Sequence, residues 1–192
     1  MTGPIDDDPR WSLISGQQSK CPCCGEDSAT LLSLAYDRPD PFPSDAPGHQ
    51  NAMLNATDGD ILTEDFCRMG EYRFVRCVLE FPLRGLDDDL VLGVWGSLSV
   101  GNFGKYVDRF DSGDQAELGD MFSWLMNAVP RDRRQPVKMV MVPRDGRQRP
   151  QLYFSDEADL MYPLQQNGLS YDELADLLQG YGHDLRAKNR LN

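Results

Sequence analysis

Tyr72-Arg73-Phe74-Val75-Arg76-Cys77-Val78-Leu79-Glu80-Phe81, followed beyond Asp87-Asp88-Asp89 by Leu90-Val91-Leu92-Gly93-Val94-Trp95-Gly96-Ser97-Leu98-Ser99-Val100, is the stretch whose pattern decides the fold. In its first half Val75, Cys77, Leu79 and Phe81 recur with a period of two, which places them on one face of a strand. The other face carries Tyr72, Phe74, Arg76, Val78 and Glu80 and is mixed, so half-wet. The second half is apolar on both faces through Val91, Leu92, Val94, Trp95 and Leu98. A strand of that kind is central and covered twice, so helices are expected against at least one side. The three aspartates between the halves read as a charged turn.

Upstream, Ile61 to Arg68 is expected as a strand that turns at Met69-Gly70-Glu71. Downstream, Asn102 can cap a short helix whose apolar side is Phe103, Tyr106, Val107 and Phe110. Met121 to Val129 is an apolar cluster closed by Pro130. Val137 to Val142 and Gln151 to Phe154 read as a hairpin around Asp145-Gly146. Ser170 and Glu173 form a capping-box pattern before Leu174, Leu177 and Leu178, and Gly180 and Gly182 end that helix. Four prolines between Tyr36 and Gly48 forbid a helix or central strand, leaving a surface loop. The expected organisation is a flexible amino-terminal arm over 1–20, a single domain over 21–183 and a polar tail over 184–192. The fold class is α+β, a mainly antiparallel sheet with helices packed on it after an irregular amino-terminal segment.

A length of 192 residues suits one domain with a genuine core, and 40% hydrophobic against 26% charged residues suits a globular chain. The net charge of −12 disfavours general binding to nucleic acid or anionic membrane, and a protein partner fits it better. The first ten residues carry Asp6, Asp7 and Asp8 and lack the apolar segment of a secretory signal, and no stretch is long and apolar enough to span a bilayer. A cytoplasmic location is the expectation. There the five cysteines, an odd number, read as free thiols or metal ligands before disulfides.

Several of these segments are similar to a bacterial family known only as a domain of unknown function, number 2199. The resemblance rests on Cys21-Pro22-Cys23-Cys24-Gly25, on Phe74 to Pro82, and on Gly93-Val94-Trp95-Gly96-Ser97-Leu98-Ser99 with Asn102-Phe103. Phe122-Ser123-Trp124-Leu125 and Asn167-Gly168-Leu169-Ser170 continue it, so that it spans most of residues 21–180. It implies a common fold and no activity. The chain departs from the family pattern in two places. Glu26-Asp27-Ser28 stands where a histidine usually follows the knuckle, and Cys77 stands where glycine is usual. Both departures count against a metal site shared with the family.

Zinc is the first chemistry to consider. Cys21 and Cys24 have the spacing by which two thiolates grip one tetrahedral ion, with Gly25 permitting the turn. Cys67, expected at a strand end, is the third candidate ligand. The fourth could be Cys77, Cys23 or His49, each with a difficulty. A two-residue loop at Gly70-Glu71 would put Cys67 opposite Phe74 and turn Cys77 to the other face. Cys23 adjoins Cys24, and His49 lies in an irregular loop. The competing reading makes Cys77 a small core residue and the rest leftover thiols.

Other chemistries are weaker. Neither His49 nor His183 belongs to a signature for a Ser or Cys nucleophile. Asp87-Asp88-Asp89 diverges at a turn, and Gly101-Asn102-Phe103-Gly104-Lys105 lacks the ending of a phosphate loop. Charge is nonetheless segregated. Arg131, Arg133, Arg134, Lys138, Arg144, Arg147 and Arg149 face only Asp132 and Asp145 across residues 131–149, a local +5 that leaves −17 on the rest. These cations form a candidate anionic-ligand patch. Pairing with surrounding acids is the commoner explanation.

Three functions follow, in order. The first is a non-enzymatic binding protein whose acidic surface docks a basic macromolecule, a toxin-neutralising (immunity) protein being one such case. The second is a zinc-stabilised accessory or regulatory domain with a basic hairpin for an anionic ligand. The third is an enzyme without a recognisable signature.

Overall fold

The computed structural model describes residues 3–16, 19–130 and 137–187. Its strands are β1 (Ser33–Ala35), β2 (Gly48–His49), β3 (Ile61–Thr63), β4 (Phe66–Met69), β5 (Tyr72–Pro82), β6 (Asp89–Leu98), β7 (Met121–Leu125), β8 (Val137–Val142) and β9 (Gln151–Phe154). The α-helices are α1 (Ser28–Leu31), α2 (Val100–Phe110), α3 (Tyr162–Asn167) and α4 (Tyr171–Gly180). The fold is α+β.

The deciding stretch becomes the long antiparallel hairpin of β5 and β6, running from Arg73 opposite Leu98 to Pro82 opposite Asp89. The sheet continues antiparallel from β6 through β7, β8 and β9. It then returns to β5 through a parallel pairing of Val78 with Gln151, where Val78 N donates to Pro150 O at 2.9 Å. Strands β5 to β9 thereby close into a five-strand barrel. The expectation of a mainly antiparallel sheet needs correcting on two points: the sheet closes, and the β1–β6, β2–β3 and β5–β9 pairings are parallel. Closure satisfies backbone groups that an open edge would expose. Strand direction depends on how distant segments return, which no local apolar period records.

The alternation in β5 sorts its residues as its pattern requires. Val75, Cys77, Leu79 and Phe81 enter the main core with Leu92 and Val94 of β6 and with Met139, Met141, Leu152 and Phe154 of β8 and β9. Phe103 and Tyr106 of α2 and Leu174, Leu177 and Leu178 of α4 complete it. On the opposite face Phe74 joins a smaller core with Phe42, Leu62, Cys67 and Trp95. Phe42, from the proline-rich loop, covers that face, so Phe74 is buried rather than half-wet. Each such large side chain contributes about 1.5–3 kcal/mol by leaving water.

Other elements shift locally. Ile61 to Arg68 is two short strands rather than one, because the chain turns at Glu64-Asp65, where Asn51 Oδ1 accepts from Asp65 N at 3.0 Å. Helix α2 starts earlier than expected: Ser99 is its cap, its Oγ accepting from Asn102 N at 3.2 Å. Met121 to Leu125 is a strand. The hairpin of β8 and β9 and the Ser170–Glu173 capping box form as expected.

The segment 3–16, expected as part of a flexible arm, lies against the body. Ile5 is fully buried, its N donating to Arg84 O at 2.6 Å, and Arg10 bridges Asp8 and Asp172 at 2.6 and 2.8 Å. In the expected polar tail, Leu185 is buried and Arg186 pairs with Asp176 at 2.7 Å, while residues 188–192 lie outside the described residues. Among the described residues, no helix is long and apolar enough to cross a membrane.

Candidate metal centre

The knuckle is built by its own backbone. Cys21 N donates to Glu26 O at 2.7 Å and Gly25 N donates back to Cys21 O at 2.9 Å, folding Cys21 to Glu26 into a tight turn. Gly25 sits at φ +79°, where a side chain would strain the turn. Lys20 and Asp27 close the base as a bridge, with Lys20 Nζ 2.7 Å from Asp27 Oδ1.

A histidine arrives from the other end of the chain. Helix α4 ends in two crossed hydrogen bonds, Gly182 N to Gln179 O at 3.0 Å and His183 N to Leu178 O at 2.9 Å, with Gly182 at φ +90°. This left-handed termination reverses the chain directly after the helix. Tyr181 anchors the end by an edge-on ring contact to Tyr36, their hydroxyls 3.2 Å apart. His183 is thereby delivered to the knuckle.

Cys21, Cys23, Cys24 and His183 each offer one ligand atom, and these atoms all lie within 4.8 Å of one another. Cys24 Sγ is 3.6 Å from His183 Nδ1, and Cys21 Sγ is 3.2 Å from Cys23 Sγ. In a tetrahedral zinc site the sulfur–nitrogen edge is about 3.6 Å and the sulfur–sulfur edge about 3.8 Å, from the usual bond lengths. The first separation matches, and the second needs a small side-chain rotation. Glu26 Oε2 lies 3.9 Å from His183 Nε2, on the side where a carboxylate commonly orients a metal-binding imidazole. Asp184 N, 3.2 Å from Cys23 Sγ, offers a donor to a thiolate there. Three sulfurs and one imidazole are a donor set that suits zinc, and the residues present fit such an ion.

The structure joins Cys21 and Cys24 but does not bring Cys67 to them. Cys67 faces Phe74 across the β4–β5 ladder in the smaller core, and burial raises its thiol to about 12, with Asp60 adding to the shift. Cys77 lies in the main core, and burial raises its thiol further still. The two cysteines point to opposite faces, as the two-residue loop required. His49 lies on β2, outside the cluster. Cys23 is brought in despite adjoining Cys24, because the turn swings its sulfur under Gly182 and Asp184. His183 is the member of the cluster that spacing could not supply: it is 159 residues from Cys24.

The basic segment resolves differently. Arg131, Arg133 and Arg134 lie outside the described residues, and Lys138 is exposed on β8. Arg144 reaches Glu80 at 3.5 Å, Arg147 donates to Asp111 O at 2.8 Å, and Arg149 Nε donates to Asp65 Oδ1 at 2.9 Å. These three arginines are engaged by neighbouring acidic residues, the pairing that charge intermixing favours.

No curated protein and no solved structure matches the chain. One family model does, over residues 20–169, a span that holds the three knuckle cysteines and ends before His183. The chain belongs to that family, described as an uncharacterized protein conserved in bacteria (DUF2199).

Proposed function

We propose that this chain is a zinc-stabilised binding domain in which Cys21, Cys23, Cys24 and His183 hold one structural ion. The observation that carries the reading is the convergence of four ligand atoms from the two ends of the domain within 4.8 Å. An ion there ties the amino-terminal knuckle to the end of α4 and so fixes both against the barrel. Four protein ligands leave no open position for a substrate, which makes the role structural. The binding role rests on the charge of −12, which suits a basic macromolecule, a toxin met by an immunity protein being one such partner.

Elemental analysis of protein purified without added metal tests the reading. One zinc per chain is expected, with a lowered thermal midpoint after chelation. Less than about a tenth of an equivalent, with no uptake of added zinc, would sink it, since structural sites hold zinc through purification.

A second reading has its own observation: Cys24, His183 and Glu26 stand in the order nucleophile, base and orienting carboxylate. It requires Cys24 to be alkylated rapidly in untreated protein. The zinc reading expects that reaction only after chelation.

A further inference from the structure

Arg76 sits on β5 opposite Trp95, on the face turned away from the main core. It is half-buried, and its Nε is sealed from solvent without a hydrogen-bond partner. No described residue pairs ionically with its guanidinium. Its acidic neighbour Asp65 is engaged by Arg149 Nε at 2.9 Å. Burial, and then the Arg149 charge, hold the Arg76 guanidinium below the usual arginine value, with Asp65 and Asp37 opposing the shift. A charge partly withdrawn from water, with a sealed N–H left unpartnered, is costly.

Arg76 lines a cleft of 440 Å³ together with Asp37, Arg38, His49, Thr63 and Glu64. Two of the other polar side chains there are engaged. Arg38 Nη1 donates to Pro43 O at 2.5 Å and Ala46 O at 3.2 Å, and Thr63 Oγ1 donates to Asn51 Oδ1 at 2.8 Å. Among the described residues that line this cleft, Arg76 alone carries a buried side-chain nitrogen or oxygen without a hydrogen-bond partner. We infer that this cleft binds a small oxyanion, a carboxylate or phosphate group, with the Arg76 guanidinium as its main ligand. A guanidinium presents parallel N–H groups that match two oxygens of either anion. Asp37 and Glu64, which line the same cleft, repel a polyanion and favour a compact ligand of low charge. The site shares no residue with the metal centre and does not depend on it.

Titration calorimetry on the full chain, with inorganic phosphate and with succinate as separate probes, tests the site. Saturable binding of at least one is expected, and which one distinguishes phosphate from carboxylate. Arg76→Gln is expected to weaken it roughly tenfold or more. Arg76→Lys, which keeps the charge without the fork, falls between, and it also covers the case in which Arg76→Gln fails to fold. Lys105→Gln, on α2, should bind as wild type. Absence of saturable binding for both probes overturns the inference, as does unchanged affinity in the folded Arg76 variants.

Discussion

The cysteines of this chain occupy two regions that treat the same side chain in opposite ways. Around Cys21, Cys23 and Cys24 the backbone is a tight turn, and two of the three thiols are exposed beside an imidazole. Around Cys67 and Cys77 the surroundings are apolar, and burial drives both thiols toward the protonated form. A thiol in an apolar core behaves as a small hydrophobe, whereas thiols that converge on an imidazole at a turn form a ligand set. Cysteine content therefore tells little until the environment of each sulfur is known.

The comparison is broken most directly by removing the knuckle. Cys21→Ser with Cys24→Ser should abolish metal binding and cost more than about 3 kcal/mol in urea unfolding, since binding energy at a structural site is folding energy. A double variant that keeps wild-type stability and metal content would erase the difference between the regions. The core supplies the converse. Cys67→Ser places a hydroxyl in an apolar pocket and should cost about 1–3 kcal/mol while leaving the metal content intact. Equilibrium unfolding alongside elemental analysis reads both at once.

Thiol labelling sharpens the contrast without a mutation. After chelation, Cys23 and Cys24 should react with an alkylating reagent in the native state, while Cys67 and Cys77 stay protected until global unfolding; peptide mapping of the adducts decides. The smallest effect concerns the amino-terminal segment. The Arg10 guanidinium hydrogen-bonded to Asp8 lowers that carboxyl from 3.8 to about 2, and it lowers Asp172 as well. A depressed folded pKa gives stability that is fully present above the ordinary value and is lost as pH falls toward 2. Intrinsic tryptophan fluorescence, to which Trp11 of this segment contributes, should change between pH 4 and 2 before the barrel unfolds.

The legibility of the molecule followed the range of each interaction. The alternation in β5, the apolar run of β6 and the Ser170–Glu173 cap are local patterns, and all three are legible in the residues themselves. Barrel closure was hidden because the β5–β9 contact joins Val78 to Gln151, and neither residue advertises the direction of its partner strand. Cys21 and Cys24 were readable from spacing alone. Cys67, a candidate ligand by its place at an expected strand end, is buried instead, because its cover, Phe42 and Trp95, comes from segments distant in the chain. His183 was invisible for the same reason: Gly182 marks the end of α4, but nothing in the residues says that the reversed chain meets the knuckle.

Cobalt(II) titration of the metal-free full chain tests the central claim most directly, because a tetrahedral thiolate-rich site gives intense ligand-field bands and sulfur-to-metal charge transfer. The account expects saturation at one equivalent, unchanged in Cys67→Ser and abolished in Cys21→Ser with Cys24→Ser. It also expects His183→Ala to weaken the site while keeping the charge-transfer band. Weak octahedral absorption in the wild type, or intense bands that survive loss of the knuckle cysteines, would contradict it.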